Sequence, residues 1–130
     1  PYMSMLRTQS VCGERQIAVL HGARHSWELG YRNELGMLAH RCSCFTYIPA
    51  ISRPNDEPEP WAGETDHLQD LWHRKPLIAK WGAQPTSSDS HVFLCGNPAM
   101  IEAMLLILVA EGFVEHTRKK PGQIHLERFW

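Results

Sequence analysis

The sequence predicts an α/β fold in which a parallel β-sheet is wrapped by helices on both faces. Apolar runs of strand length alternate with segments whose apolar residues recur at helical spacing, in the order helix, strand, helix, strand, helix, strand, helix, strand. This alternation is typical of parallel strands joined by right-handed helical crossovers. The 130 residues, 43% of them hydrophobic, are enough for a single domain that spans residues 1–130 around one core.

The first half of the chain supplies two of the predicted helices and two of the strands. Residues 2–8 can form the first helix, and residues 16–22 (QIAVLHG) have the length of a buried strand. Ser26 can cap the second helix. The apolar stripe of that helix would consist of Trp27, Tyr31, Leu35 and Leu38. Residues 44–52 (CFTYIPAIS) form the next predicted strand, in which Pro49 indicates a place at the edge of the sheet.

The second half begins with two polar loops, residues 54–66 and residues 82–90, on either side of a short helix at residues 67–72. Residues 91–96 (HVFLCG) and residues 123–129 (QIHLERF) complete the predicted set of strands.

The helix between these last two strands has clear signals at both ends. Asn97 is a good N-cap, Pro98 suits the first helical position, and the helix should run to Glu111 before Gly112 stops it. Because this helix is apolar nearly all round, we expect it to be deeply buried.

The composition excludes several classes of protein. The formal net charge is −1, so no overall basic field indicates binding to nucleic acid or to a membrane surface. The longest apolar run, residues 103–110, is far shorter than the roughly 20 residues of a membrane-spanning helix. The four cysteines show neither zinc-site spacing nor the density of a disulfide scaffold, and the eight histidines include no HExxH motif. We therefore expect reduced thiols, a cytoplasmic protein and no bound metal.

Ligands of an open parallel sheet gather at the carboxyl ends of its strands. Arg24 and Arg53 follow the first and second predicted strands, and their guanidinium groups match phosphate oxygens. Gly96 ends the third strand, and the helix that begins at Pro98 offers free N–H groups. A lone arginine at a strand end is usually a solvated surface group, but two at the same predicted edge favour a phosphorylated ligand.

Cys95, at the junction of strand and helix, admits three interpretations: a thiol nucleophile, a metal ligand, or part of a tight turn that brings backbone close to a flat ligand. A thiol phosphatase would need an arginine where the chain has Ile101, and no histidine is forced by the sequence to act as a base. From the residues alone, a small buried apolar side chain is the commonest role of such a cysteine.

Several stretches taken together carry a family resemblance: HGARHSWELGY with FTYIPAISR, then CGNPAM, then RKKPGQIHLERFW. Over essentially its whole length, the chain resembles the C-terminal NADP(H)-binding domain of bacterial ferredoxin/flavodoxin–NADP⁺ reductases. The opening PYMSMLRT resembles the segment after that family's glycine-rich TGTGxG turn. The resemblance implies a Rossmann-like nucleotide-binding fold without its first, central strand and without the FAD domain. We therefore expect a piece of a larger enzyme that neither holds FAD nor turns over alone.

The resemblance also implies roles for individual residues. The cofactor-binding residues would be Arg24, Ser52, Arg53, Gly96, Asn97, Pro98 and Trp130. The residues at the site of hydride transfer would be Cys95, Glu127 and Phe129. Arg24 and Arg53 would hold the adenosine 2′-phosphate of NADP(H), and residues 95–98 would form a close-approach turn beside the nicotinamide. Phe129 would cover the flavin ring, and Trp130 would lie toward the FAD adenine.

The implied activity is hydride transfer between NADP(H) and FAD, with ferredoxin or flavodoxin as the electron partner. Many relatives carry a third arginine in a Gly-Arg pair where this chain has Gly63 and Glu64, which weakens the expected preference for NADP(H) over NAD(H). Strand edges left open by the missing strand would favour self-association. The alternative interpretation is a non-catalytic α/β nucleotide-binding or scaffold domain.

Overall fold

The computed structural model describes residues 2–8 and 12–128, which form two compact units, one up to Trp81 and one from Gly82 onward. The helices are α1 (Tyr2–Thr8), α2 (Arg32–Arg41), α3 (Leu68–His73), α4 (Ile78–Trp81) and α5 (Pro98–Ala110). The strands are β1 (Ile17–Ala23), β2 (Phe45–Ile51), β3 (Glu64–Thr65), β4 (Val92–Gly96) and β5 (Ile124–Arg128). The predicted alternation of helices with parallel strands is confirmed, while the assignment of the whole chain to one domain stays a prediction.

In the first unit, β1, β2 and β3 form a parallel sheet with β2 between the other two. β1 pairs with β2 along its whole length, from Ile17 opposite Phe45 onward, whereas β3 pairs only with Ala50 and Ile51. The prediction that Pro49 marks an edge strand is therefore wrong, because β2 is the middle strand of this sheet. At Pro49 itself, however, β2 has a paired neighbour on one side only, so a residue without an N–H group is tolerated there.

The core of the first unit lies between the sheet and the helices α1 and α2. Leu35 of α2 has no exposed surface and packs in a cluster with Met3, Cys42 and Phe45, each at most 7% exposed. Burying such apolar surface is the main driving force that holds these elements together.

The second predicted helix is interrupted near its start. Residues 26–28 form a single 3₁₀ turn, and α2 begins only at Arg32, after Tyr31 adopts the left-handed conformation at φ 62°. The predicted apolar stripe is therefore wrong at its beginning. Leu35 is buried as expected, whereas Trp27 and Tyr31 are 62% and 55% exposed, because the turn breaks the helical spacing before Leu35.

In the second unit, β4 and β5 form a parallel two-stranded sheet in which Val92 lies opposite Ile124. The predicted signals at the ends of α5 are confirmed. Asn97 Oδ1 accepts a hydrogen bond of 2.7 Å from the Ala99 N–H, which satisfies one donor of the first turn. Gly112 follows the helix at φ 95°, a conformation that favours glycine.

The burial of α5 differs from the prediction. Ile101 and Leu108 have no exposed surface, but Leu106 is 75% and Val109 is 52% exposed, so one side of this apolar helix faces outward. Within residues 2–8 and 12–128, neither α5 nor any other helix is long and apolar enough to cross a membrane.

One pair of cysteines departs from the expected reduced state. Cys12 and Cys42 form a disulfide, with their Cα atoms 5.2 Å apart, within the usual range for such a bond. The expectation of reduced thiols is therefore wrong for this pair. Nothing in the spacing of 30 residues between them could have indicated it.

Replacing Leu35 by Ala should lower the free energy of unfolding by about 2–5 kcal/mol, because the change leaves a cavity in a fully buried position. Met37 on the same helix is 55% exposed, so Met37→Ala serves as the matched control and should change stability by less than about 1 kcal/mol. Urea unfolding followed by circular dichroism measures both. Equal losses for the two variants would contradict the described orientation of α2.

Candidate functional site

The first part of the candidate site lies where β1 and β2 end. The Ser52 N–H donates to the Ala23 carbonyl at 3.0 Å, and the Arg53 N–H donates to the Arg24 carbonyl at 2.9 Å. The parallel pairing of the two strands thus continues beyond their last residues. The structure therefore brings Arg24, Ser52 and Arg53 together at one edge of the sheet, as the sequence predicted for their segments.

The two guanidinium groups have different surroundings. Arg24 Nη2 donates to Glu28 Oε1 at 2.9 Å, and the Arg24 side chain is 64% exposed. Arg53 is also exposed, and no ion pair joins it to any other residue that the structure describes. Arg53 consequently keeps its whole charge for an anion, whereas an anion at Arg24 has to compete with a carboxylate.

Glu28 is a member of this arrangement that the sequence did not reveal. Its carboxylate accepts hydrogen bonds from the Arg24 side chain and from the His25 N–H, the latter at 2.9 Å. Partial loss of solvent acts to raise the pKa of Glu28, but the hydrogen bonds from His25 and Arg24 prevail and lower it. Glu28 is therefore ionised at neutral pH, and its spacing of four residues from Arg24 is the one sequence signal that could have indicated the pair.

The loop after β2 is tied to the turn after β1 by acidic side chains. Glu57 accepts from the Ser26 hydroxyl at 2.6 Å and from the Ser26 N–H at 2.8 Å, and these two bonds lower the pKa of Glu57. Asp56 Oδ2 lies 3.3 Å from His25 Nε2. Pairing across 31 residues of sequence, between two loops, cannot be read from local patterns.

Glu64, at a position where the resemblance implies an arginine, also has a partner. Arg74 Nη2 lies 3.4 Å from Glu64 Oε2 and 3.8 Å from Asp66 Oδ2, and it donates to the Thr65 carbonyl at 2.9 Å. The negative charge of Glu64 is therefore partly balanced locally, which reduces the repulsion that the sequence predicted at this position.

The remaining predicted site residues that the structure describes lie in the other unit, at the ends of β4 and β5. Cys95 pairs in register with Glu127, and Gly96 adopts φ 134°, which a residue with a side chain rarely does. Asn97 and Pro98 follow as the cap and first residue of α5. The structure thus forms the predicted tight turn over residues 95–98.

Cys95 is half-buried and does not have the surroundings of a nucleophile. Loss of solvent raises the pKa of its thiol, and the carboxylate of Glu127 raises it further because two negative charges repel each other. Among the described residues, no group of three or more His, Cys, Asp or Glu side chains is arranged to hold a metal ion. Of the three interpretations of Cys95, the turn is the one that this geometry supports.

The two remaining predicted residues, Phe129 and Trp130, lie outside the described residues.

Comparison with known proteins shows the family to which the chain belongs. Residues 1–105 match the family described as the oxidoreductase NAD-binding domain. The chain is 30% identical over 132 residues to the flavodoxin/ferredoxin–NADP reductase of Buchnera aphidicola subsp. Baizongia pistaciae, which covers all of this chain and 52% of the relative. It is 33% identical over 117 residues to the reductase component of phenol 2-monooxygenase from Pseudomonas sp., covering 89% of this chain and 29% of the relative. The chain thus spans about half, or less, of the length of these relatives.

Solved structures show the same fold. A ferredoxin NADP⁺ reductase from Neisseria gonorrhoeae, solved with bound FAD and NADP, matches with a TM-score of 0.71 at 22% sequence identity. The match covers 87% of this chain and 44% of the reductase chain. A cytochrome P450 reductase from Amycolatopsis matches with a TM-score of 0.61 at 25% sequence identity, and the match covers 88% of this chain and 29% of the reductase chain. The predicted α/β class, with parallel sheets and packed helices, is confirmed.

Removing the Glu127 charge should make Cys95 react faster with iodoacetamide, because a neutral neighbour no longer opposes formation of the thiolate. In Glu127→Gln, the pH profile of alkylation at Cys95 should move to lower pH, as measured by mass spectrometry of the Cys95 peptide. Glu115→Gln removes a charge elsewhere in the same unit and should leave the profile in place. Unchanged alkylation in Glu127→Gln would show that the two side chains do not interact.

Proposed function

Because this chain belongs to the family of oxidoreductase NAD-binding domains, we propose that it is the NADP(H)-binding half of a ferredoxin/flavodoxin–NADP⁺ reductase. In this role it binds NADP(H) and positions the nicotinamide for hydride transfer to or from FAD, which another domain of the complete enzyme holds. The observation that carries the proposal is the hydrogen-bonded junction of Arg24 and Arg53 at the carboxyl ends of two parallel strands, in a chain that matches this family.

Arg24, Ser52 and Arg53 form the proposed site for the adenosine 2′-phosphate. Guanidinium groups bind phosphate through directed, charge-assisted hydrogen bonds, and Arg53 has no competing carboxylate among the described residues. The unengaged charge of Arg53 favours NADP(H) over NAD(H), since only NADP(H) carries the additional phosphate. At Arg24, the carboxylate of Glu28 acts in the opposite direction, because it competes with the phosphate. The preference for NADP(H) over NAD(H) depends on the balance of these two effects.

Residues 95–98 and Glu127 form the proposed nicotinamide site. Hydride chemistry is a property of the nicotinamide and flavin cofactors, so the residues of this chain supply binding and orientation. Gly96, without a side chain and at φ 134°, suits close approach of a flat ring, and the neutral Cys95 thiol suits an apolar lining. By resemblance, Phe129 covers the flavin and Trp130 lies toward its adenine.

The electron partner in this proposal is ferredoxin or flavodoxin, and the location is the cytoplasm. The names of the relatives support an electron carrier in general, because they include a flavodoxin/ferredoxin reductase and reductase components of monooxygenases. Among the described strands, β1 pairs only with β2 and β4 only with β5, so each sheet has an open edge at which self-association could begin.

Replacing Arg53 by Ala in the full-length gene product should weaken NADP⁺ binding by about tenfold to a hundredfold, because a charge-assisted contact with the 2′-phosphate is lost. NAD⁺ binding should change by less than about threefold, because NAD⁺ lacks the 2′-phosphate and does not make this contact. Isothermal titration calorimetry with both nucleotides measures the two effects, and Arg41→Ala, at an exposed arginine of the same unit, is the control.

An unaltered NADP⁺ affinity in Arg53→Ala would contradict the proposed 2′-phosphate site. If the full-length product binds neither dinucleotide, the flavin reductase proposal fails and a scaffold domain of the same fold replaces it.

A further inference from the structure

A cleft of about 330 Å³ opens in the segment that follows β1. Its lining includes Ser26, Trp27, Tyr31 and Arg32. The lining begins at Ser26, two residues after Arg24 in the sequence, but none of the proposed contacts to NADP(H) uses the aromatic side chains of the cleft.

Trp27 presents a flat aromatic surface in a fixed orientation. Its ring stacks on the ring of His25 with centroids 4.4 Å apart and planes 6° from parallel. Since Trp27 is nevertheless 62% exposed, the face turned away from His25 is open to solvent. A single exposed tryptophan is unremarkable on a protein surface, but one backed by a second parallel ring has its orientation set before any ligand arrives.

The orientation of His25 is itself fixed by acidic neighbours. His25 Nδ1 lies 3.3 Å from Glu28 Oε2, and His25 Nε2 lies 3.3 Å from Asp56 Oδ2, so both ring nitrogens have a partner. The His25 side chain is only 15% exposed. The stacked pair is thus held by the same carboxylate, Glu28, that holds the guanidinium of Arg24.

Three arginines belong to the segments that carry this aromatic surface or adjoin them. Arg24 precedes His25 directly, Arg53 is joined to the Arg24 carbonyl, and Arg32 lines the cleft with its guanidinium 5.0 Å from the ring centroid of Trp61. A flat aromatic face beside several guanidinium groups is the combination that binds a nucleotide, because the base stacks while the phosphate is neutralised.

We propose that the open face of Trp27 is the stacking platform for the adenine of the dinucleotide. The inference rests on the proposed function and extends it from the phosphate to the base. With the adenine on Trp27, the attached ribose phosphate lies toward Arg24 and Arg53, so one ligand uses both features. Adenine is common to NAD(H) and NADP(H), so Trp27 sets overall affinity while Arg53 sets the preference between them.

The test is calorimetric titration of the full-length gene product with NADP⁺, NAD⁺ and 2′,5′-ADP, which contains the adenosine end alone. Trp27→Ala should weaken all three by about fivefold to 150-fold, the loss expected for one stacked base. Trp27→Phe, which keeps a flat ring, should recover most of the affinity. Phe93→Ala is the matched control, because Phe93 is 57% exposed and stacks on His125 at 4.7 Å in the other unit.

The outcomes separate this inference from the proposed function. If the wild type binds all three ligands and Trp27→Ala binds them equally well, the platform is wrong while the proposed function stands. If Trp27→Ala weakens NADP⁺ but not NAD⁺, Trp27 acts on the phosphate rather than on the base, and the inference is overturned. If the wild type binds none of them, the proposed function fails first. Circular dichroism melting confirms that each variant is folded.

Discussion

The parallel pairing of β1 with β2 is the constraint on which the candidate site depends. Because the two strands run in the same direction, the segments that follow Ala23 and Ile51 leave the sheet at the same edge, whatever their sequences. Two further backbone hydrogen bonds, from Ser52 to Ala23 and from Arg53 to Arg24, carry the pairing into the loops. Arg24 and Arg53, which are 29 positions apart in sequence, thereby become neighbours through their backbones.

Neighbouring positive charges repel each other, so such a site needs compensating acids that do not fill it. Glu28 neutralises Arg24, and Glu57 binds the turn at Ser26 rather than an arginine. Arg53 keeps its charge unengaged among the described residues. Exposed ion pairs contribute little to stability, which means that the contact at Arg24 can exchange for a phosphate at small cost. The acids therefore connect the two loops without forming an ion pair to Arg53 in the part of the chain that the structure describes.

How much of the structure could be predicted from the sequence depends on how far apart along the chain the interacting residues lie. Asn97 and Gly112 were identified correctly because a cap and a left-handed stop act within a few residues. The helix expected from Ser26 was wrong because Tyr31 adopts a left-handed conformation, which apolar spacing does not indicate. Trp27 was therefore wrongly placed on the same helical stripe as the buried Leu35. The strand ends could be predicted, whereas the acids around them, chiefly Glu57, could not, since their partners come from a different loop.

The strand ends of the two units differ in chemistry, and under the proposed function each set suits a different end of a dinucleotide. The strand ends of the first unit carry guanidinium groups, which suit a phosphorylated adenosine, together with the ionised carboxylate of Glu28, which competes for Arg24. The strand ends of the second unit carry a neutral thiol, a glycine and the single acid Glu127 opposite Cys95. Under the proposed function, the carboxylate of Glu127 beside this uncharged turn favours oxidised nicotinamide, which is a flat cation.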